Sequence, residues 1–387
     1  MERRTPERSR ARLHGQLNMV ARLAFALCAA ALLLAAVIGG LLRAGVAVLL
    51  PAGQAWPGAA VTAHAFLMMS AFIGTVIALE RAVALKGRLA FAAPLLSALS
   101  GLVMLAGANV PASWLAVAAA LLFIAVNVRL VERQPAPHTA LLLAGATAWL
   151  VGNVLQAVGS PTYAVLPWWF SFIVLTIAAE RLEMTRLMRR RRGAAALLYA
   201  CLGALLAGAA AFAVVPAWGG IVFGAALIGL AAWLLSFDIA RRTVFAHGLA
   251  RYMALCLLTG YAWLAVAGAA WMATAWGVPA RDTALHALGL GFVFSMMLGH
   301  APVILPALAR VKLQFGGFFY VPLVLLHASL LLRLVPGGRL DLGATGNAAA
   351  IALFMATMVA AALRWRLRHH HPFSVSRHHA ADAPARH

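Results

Sequence analysis

Apolar residues fill this chain in runs of about twenty, the length at which a helix matches the hydrocarbon thickness of a bilayer. Short polar stretches carrying Gly, Pro or charge separate them. Lipid offers the backbone no partners, so a spanning run must satisfy its own hydrogen bonds as a helix. The pattern predicts helices over Leu23–Leu42, Val61–Ala82, Leu89–Ala108, Ala112–Val131, Thr139–Val158 and Tyr163–Leu182 in the first half. In the second half it predicts Ala194–Val215, Trp218–Phe237, Tyr252–Thr274, Ala284–Ala307, Phe318–Val335 and Thr345–Leu363, with Pro216 marking the least distinct break. The expected fold is all-α and polytopic, with about twelve transmembrane helices. A membrane domain over 23–364 lies between a basic tail at 1–22 and a His/Arg-rich tail at 365–387.

Composition agrees. Of the 387 residues 64% are hydrophobic and 11% charged, whereas soluble domains carry about 25% charged residues. The net charge of +21 would suit a nucleic-acid binder, but its distribution argues against one. Of the 31 Lys and Arg residues, all but Arg43, Arg281, Arg333 and Arg339 fall on one side of the predicted bundle. That is the positive-inside asymmetry; it predicts a bacterial inner-membrane protein with both termini cytoplasmic and the run Arg189–Arg192 facing anionic lipid. The first run is longer than the 7–15 apolar residues of a signal peptide, so it is expected to remain as a helix. Cys28, Cys201 and Cys256 sit inside spans without paired spacing and read as small apolar residues.

One internal similarity stands out. The stretch from Phe72 to Arg81 matches that from Phe172 to Arg181 at six of ten positions, including Glu80-Arg81 against Glu180-Arg181. A weaker third copy runs from Phe292 to His300, where His300 replaces the glutamates. The interval is four helices, which predicts a possible threefold repeat of four-helix units. The two Glu-Arg pairs read either as snorkelling residues at the membrane interface or as a proton-intake point or helix-packing ion pair.

Ionisable residues inside spans are costly and mark function by default. Four histidines qualify: His64, His286, His300 and His327. At about 1.5 Å rise per residue, His64 and His286 lie roughly 11 and 14 Å outside the midplane. Two imidazoles at matching depth on different helices can hold one haem iron from opposite faces. Gly289, Gly291 and Ala287 offer a small-residue surface beside His286, and Met68 lies one turn below His64. Arg333 and Arg339, in the following outer loop, suit haem propionates because guanidinium binds carboxylates bidentately. His300 lies about 21 Å deeper than His286. With His327 as its available partner, it reads as a packing residue or as a ligand of a second metal, copper among the options.

Taken together, twelve spans, a four-helix repeat and histidines on spans 2 and 10 resemble subunit I of the haem-copper oxidases. In that family a low-spin haem lies between spans 2 and 10, with arginines between spans 11 and 12 at its propionates. The stretch Phe294–Pro302 is similar to the NnrS family, membrane proteins linked to haem, copper and nitric oxide. The resemblance implies haem b on His64 and His286, with Arg333 and Arg339 beside it. It does not extend to the oxidase copper centre, because spans 6 and 7 contain no histidine. Electron transfer or a small-gas (nitric oxide) response is the expected role, with a quinol or a redox protein as donor and no catalytic residue assigned. A twelve-helix secondary transporter and a cofactor-free assembly subunit are the alternative readings; a transporter's usual mark is two related halves with broken helices at the midplane.

Overall fold

A computed structural model of the chain describes residues 6–369 apart from 52, 86, 186–191, 310–311 and 336; for 6–23, 88, 307–309 and 369 it describes the backbone alone. Of the expected basic run Arg189–Arg192, residues 189–191 lie outside the described residues, as does most of the His/Arg-rich tail, 370–387. No strand occurs among those described. Among the described residues eleven helices are long and apolar enough to cross a membrane, and the shorter apolar helix Leu89–Leu105 takes the remaining predicted position. The chain is a multi-pass, all-α membrane protein.

In chain order the helices are α1 (Ala24–Arg43), α2 (His64–Leu85), α3 (Leu89–Leu105), α4 (Asn109–Arg133), α5 (Pro137–Ala157) and α6 (Thr162–Met184). There follow α7 (Ala194–Ala211), α8 (Pro216–Phe237), α9 (Gly248–Ala275), α10 (Arg281–Pro306), α11 (Gly317–Leu334) and α12 (Leu340–Arg368). Pro216 opens α8 at its first turn, where a missing N–H costs nothing. That resolves the indistinct break: α7 ends at Ala211 and a turn of four residues follows. Gly277, at φ 85°, ends α9, and Val278 N–H donates back to Ala273 O at 3.0 Å.

Consecutive helices pack as antiparallel neighbours, and α1 meets α12. The bundle has an inside and a rim. The apolar windows of α6, α2 and α10 are 83%, 67% and 61% buried, against 33% for α1, α11 and α12. The three inner helices therefore recur every fourth helix, the interval of the sequence similarity. Rim helices turn Leu27, Leu95, Trp114, Val324 and similar side chains outward, as lipid contact requires. A buried polar knot ties the first half together. Ser70 Oγ donates to Asn153 Oδ1 at 2.8 Å, Trp169 Nε1 donates to the same oxygen at 2.9 Å, and Asn153 Nδ2 donates to Ala116 O at 3.0 Å. Gly74 and Gly152 make room for it, since a Cβ there would lie 2.4 Å from Trp149 and 2.6 Å from Trp169.

Candidate functional site

The inner helices α2, α6 and α10 share one direction in the alternating bundle, so each has one end at a common cavity. That cavity is about 540 Å³ and is lined by His64 of α2, Leu166 and Phe170 of α6 and His286 of α10. α1 and α12 close its sides. The two histidines expected at matched depth do face one space.

Each imidazole is oriented by its own backbone setting. His64 Nδ1 lies 2.7 Å from Ala36 O of α1. A carbonyl only accepts, so Nδ1 carries the proton and Nε2 the lone pair. Gly40 lets that ring lie against α1, because a Cβ there would sit 2.8 Å from His64 Cε1. His286 Nδ1 is 3.0 Å from Asp282 O and 2.9 Å from Asp282 Oδ1, which fixes the same tautomer. Both rings thus have Nε2 free to act as a ligand, with Nδ1–H on an outer acceptor, the arrangement of metal-bound histidines. A π-helical stretch follows each histidine, Leu67–Ile73 in α2 and Ala287–Phe294 in α10. Such widened turns are frequent at functional sites. Nothing in the sequence pattern announced them.

Of the four basic residues that the sequence puts at this end, Arg43, Arg281 and Arg333 line the cavity. Arg333 grips Asp282 bidentately, Nε to Oδ2 at 3.0 Å and Nη2 to Oδ1 at 2.8 Å, leaving Nη1 for the cavity. Arg339 stands apart from the lining; it is 62% exposed at the side chain and paired with Asp341 at 3.0 Å, which raises its pKa through that hydrogen bond. Met68 and Gly289 line the cavity, and Gly289 has open space where a Cβ would be. Gly291 faces the other way, onto Trp263 of α9. Sequence reasoning missed Asp282, although a carboxylate four residues before a histidine on a helix is a readable signal.

The opposite ends of the same three helices hold a charged cluster. Arg81 donates to Glu180 at 2.6 Å and lies 3.6 Å from Glu80. The Glu-Arg pairs of α2 and α6 are therefore joined across helices rather than simply snorkelling. Arg181 Nε lies 3.6 Å from Asp238 Oδ2, with both side chains buried. His300 stands in the field of Glu80, Arg181 and Asp238, its Nδ1 held 2.7 Å from Met296 O. His327 has different company: Trp263 Nε1 donates to its Nδ1 at 3.0 Å. Among the described residues no group of three or more His, Cys, Asp or Glu could hold a metal ion.

The profile of one family, described as a domain of unknown function, DUF8744, matches residues 22–363. No curated protein and no solved structure matches the chain. Since the match spans the whole bundle, the chain belongs to the DUF8744 family.

Proposed function

We propose that this DUF8744 protein is a b-type haem protein of the bacterial inner membrane that carries electrons, with His64 and His286 as the two axial ligands. One observation carries the reading: two histidines on separate inner helices line one cavity, each with Nδ1–H on an oxygen and Nε2 free. The cavity volume lies within the roughly 300–1,000 Å³ of cofactor sites. Apolar walls from Leu166, Phe170 and Phe294 suit a flat apolar macrocycle, and Gly289 leaves room against α10. Arg43, Arg281 and the free Nη1 of Arg333 supply cations for carboxylates at the same end.

A bound haem would supply one-electron chemistry at its iron. The chain's own residues do the rest. Ala36 and Asp282 hold the imidazoles in the ligating tautomer. The Asp282 carboxylate accepts from His286 Nδ1 and so orients the ring, and Arg333 keeps that carboxylate in place. If His64 and His286 both held the iron, no position would remain for a gas, which favours electron transfer over nitric oxide binding. With both termini cytoplasmic, the cavity faces the outer side, where a quinol or a redox protein would be the donor.

Purified protein should show a Soret band and a reduced b-type spectrum. His64→Ala and His286→Ala should each abolish it while leaving the helical circular-dichroism signal intact. Protein that never carries haem, even when reconstituted with hemin, would sink the reading in favour of a transporter or an assembly subunit.

A further inference from the structure

The charged cluster at the Glu80 end carries a second inference, independent of the haem. We propose that it is a proton-binding site, holding one exchangeable proton on Glu80 with His300 as the neighbouring acceptor.

The argument begins with charge. Arg81 and Arg181 supply two fixed positive charges against three carboxylates, Glu80, Glu180 and Asp238. Among the described residues that leaves one negative charge over, in a site walled by the most buried helices of a membrane bundle. Desolvated charge without a partner is neutralised by taking up a proton. Glu183 is 43% exposed and turned toward His138 at 4.0 Å, so it belongs to the rim.

Hydrogen bonding then selects the carboxylate. Glu180 receives the short bond from Arg81. Asp238 Oδ1 accepts from Ala240 N–H at 2.8 Å and its other oxygen faces Arg181. Glu80 has the 3.6 Å contact with Arg81 alone as its ion pair. It faces Glu180 and Arg81 of the cluster and His300 of α10, with Glu183 at the rim. His300 keeps its proton on Nδ1 through Met296 O, so Nε2 can accept another, with Glu80, Arg181 and Asp238 as its charged neighbours.

A second observation is independent of the acidic count. Arg181 Nε and Asp238 Oδ2, both buried, meet each other only at 3.6 Å, and the buried Tyr261 hydroxyl stands against the pair in loose geometry. Buried polar atoms almost always have partners. Buried groups paired this loosely leave hydrogen-bonding capacity that a shared proton or an adjacent water would fill. The sequence similarity gives the site its form: Glu80, Glu180 and His300 occupy the corresponding position of the three inner helices.

Infrared difference spectroscopy of the full chain in lipid nanodiscs, stepped between mildly acidic and alkaline pH, tests this. We expect a protonated-carboxyl C=O band equivalent to one group per chain, shifted by 13C-glutamate and unmoved by 13C-aspartate. Glu80→Gln should remove the band, Glu183→Gln should leave it, and His300→Gln should displace the pH at which it titrates. Absence of a glutamate-sensitive band in the wild type overturns the proposal whether or not Glu80→Gln folds. So does a band that survives Glu80→Gln, or one that vanishes on adding sodium at constant pH, which would mark a metal-cation site.

Discussion

Asp282 sets the chemistry of the cavity at the scale of single residues, because it touches both His286 and Arg333. Asp282→Asn keeps the side chain's shape and the backbone acceptor for His286 Nδ1, but removes the charge that both the imidazole and the guanidinium contact. Losing such an outer partner typically costs 10–100-fold in metal affinity. On the proposed function, haem should dissociate from Asp282→Asn faster by roughly that factor, read by transfer to apomyoglobin. Arg333→Ala should follow it. Arg339→Ala should not, because Arg339 is exposed and paired with its near neighbour Asp341. Equal haem loss from both arginine variants would show that the cavity does not discriminate between them. The two arginines share a loop region and a chemistry, so their sequence positions suggested equal roles. Their difference arises where α11 ends: Arg333 is still on the helix and turned inward, whereas Arg339 is past the turn at Gly337.

Helix positions were readable because lipid imposes a length on every apolar run, and Pro or Gly marks the exits. What the runs do not reveal is which faces meet. Ser70, Asn153, Trp149 and Trp169 look like scattered residues in apolar helices, 16 to 83 positions apart, and their knot exists only once α2, α5 and α6 pack. The π-helical turns were equally silent, since they follow from packing around His64 and His286 rather than from local propensity. The histidines and the Glu-Arg pairs were legible for the opposite reason: ionisable groups in lipid are too costly to be incidental. Asn153→Leu tests how much the knot holds. It leaves the indole N–H of Trp169 without its acceptor and the hydroxyl of Ser70 with Trp149 alone, and a buried unsatisfied donor costs about 1–3 kcal/mol. Thermal unfolding in detergent should shift down by several degrees. Thr147→Leu on the same helix, exposed and bonded only to its own Leu143 carbonyl, should change stability by less than about 0.5 kcal/mol. Identical melting of the two variants would mean that the knot does not hold the helices together.

For the whole molecule, the two sites lie at opposite ends of the same inner helices, so membrane orientation decides which compartment each one serves. Only charge bears on that. The His64 end carries Arg43, Arg281, Arg333 and Arg339, and three of these line the cavity. The Glu80 end carries the basic loop and helix-end residues Arg129, Arg133, Arg192, Arg241, Arg242, Arg251, Lys312, Arg364, Arg366 and Arg368. Positive residues in short loops stay cytoplasmic because translocating them is unfavourable. Of the arginines at the His64 end, three face the cavity and Arg339 is paired with Asp341. Reporter fusions after Arg192 and after Arg368 should therefore report cytoplasm. A fusion within Ala108–Pro111, the turn between α3 and α4, should report periplasm. That third position also tests the helix count, since Leu89–Leu105 is the shortest of the twelve. If α3 did not cross, Ala108–Pro111 would report cytoplasm and every position after it would be reversed too. Reversal at two of the three positions would therefore sink the twelve-span topology with both termini inside.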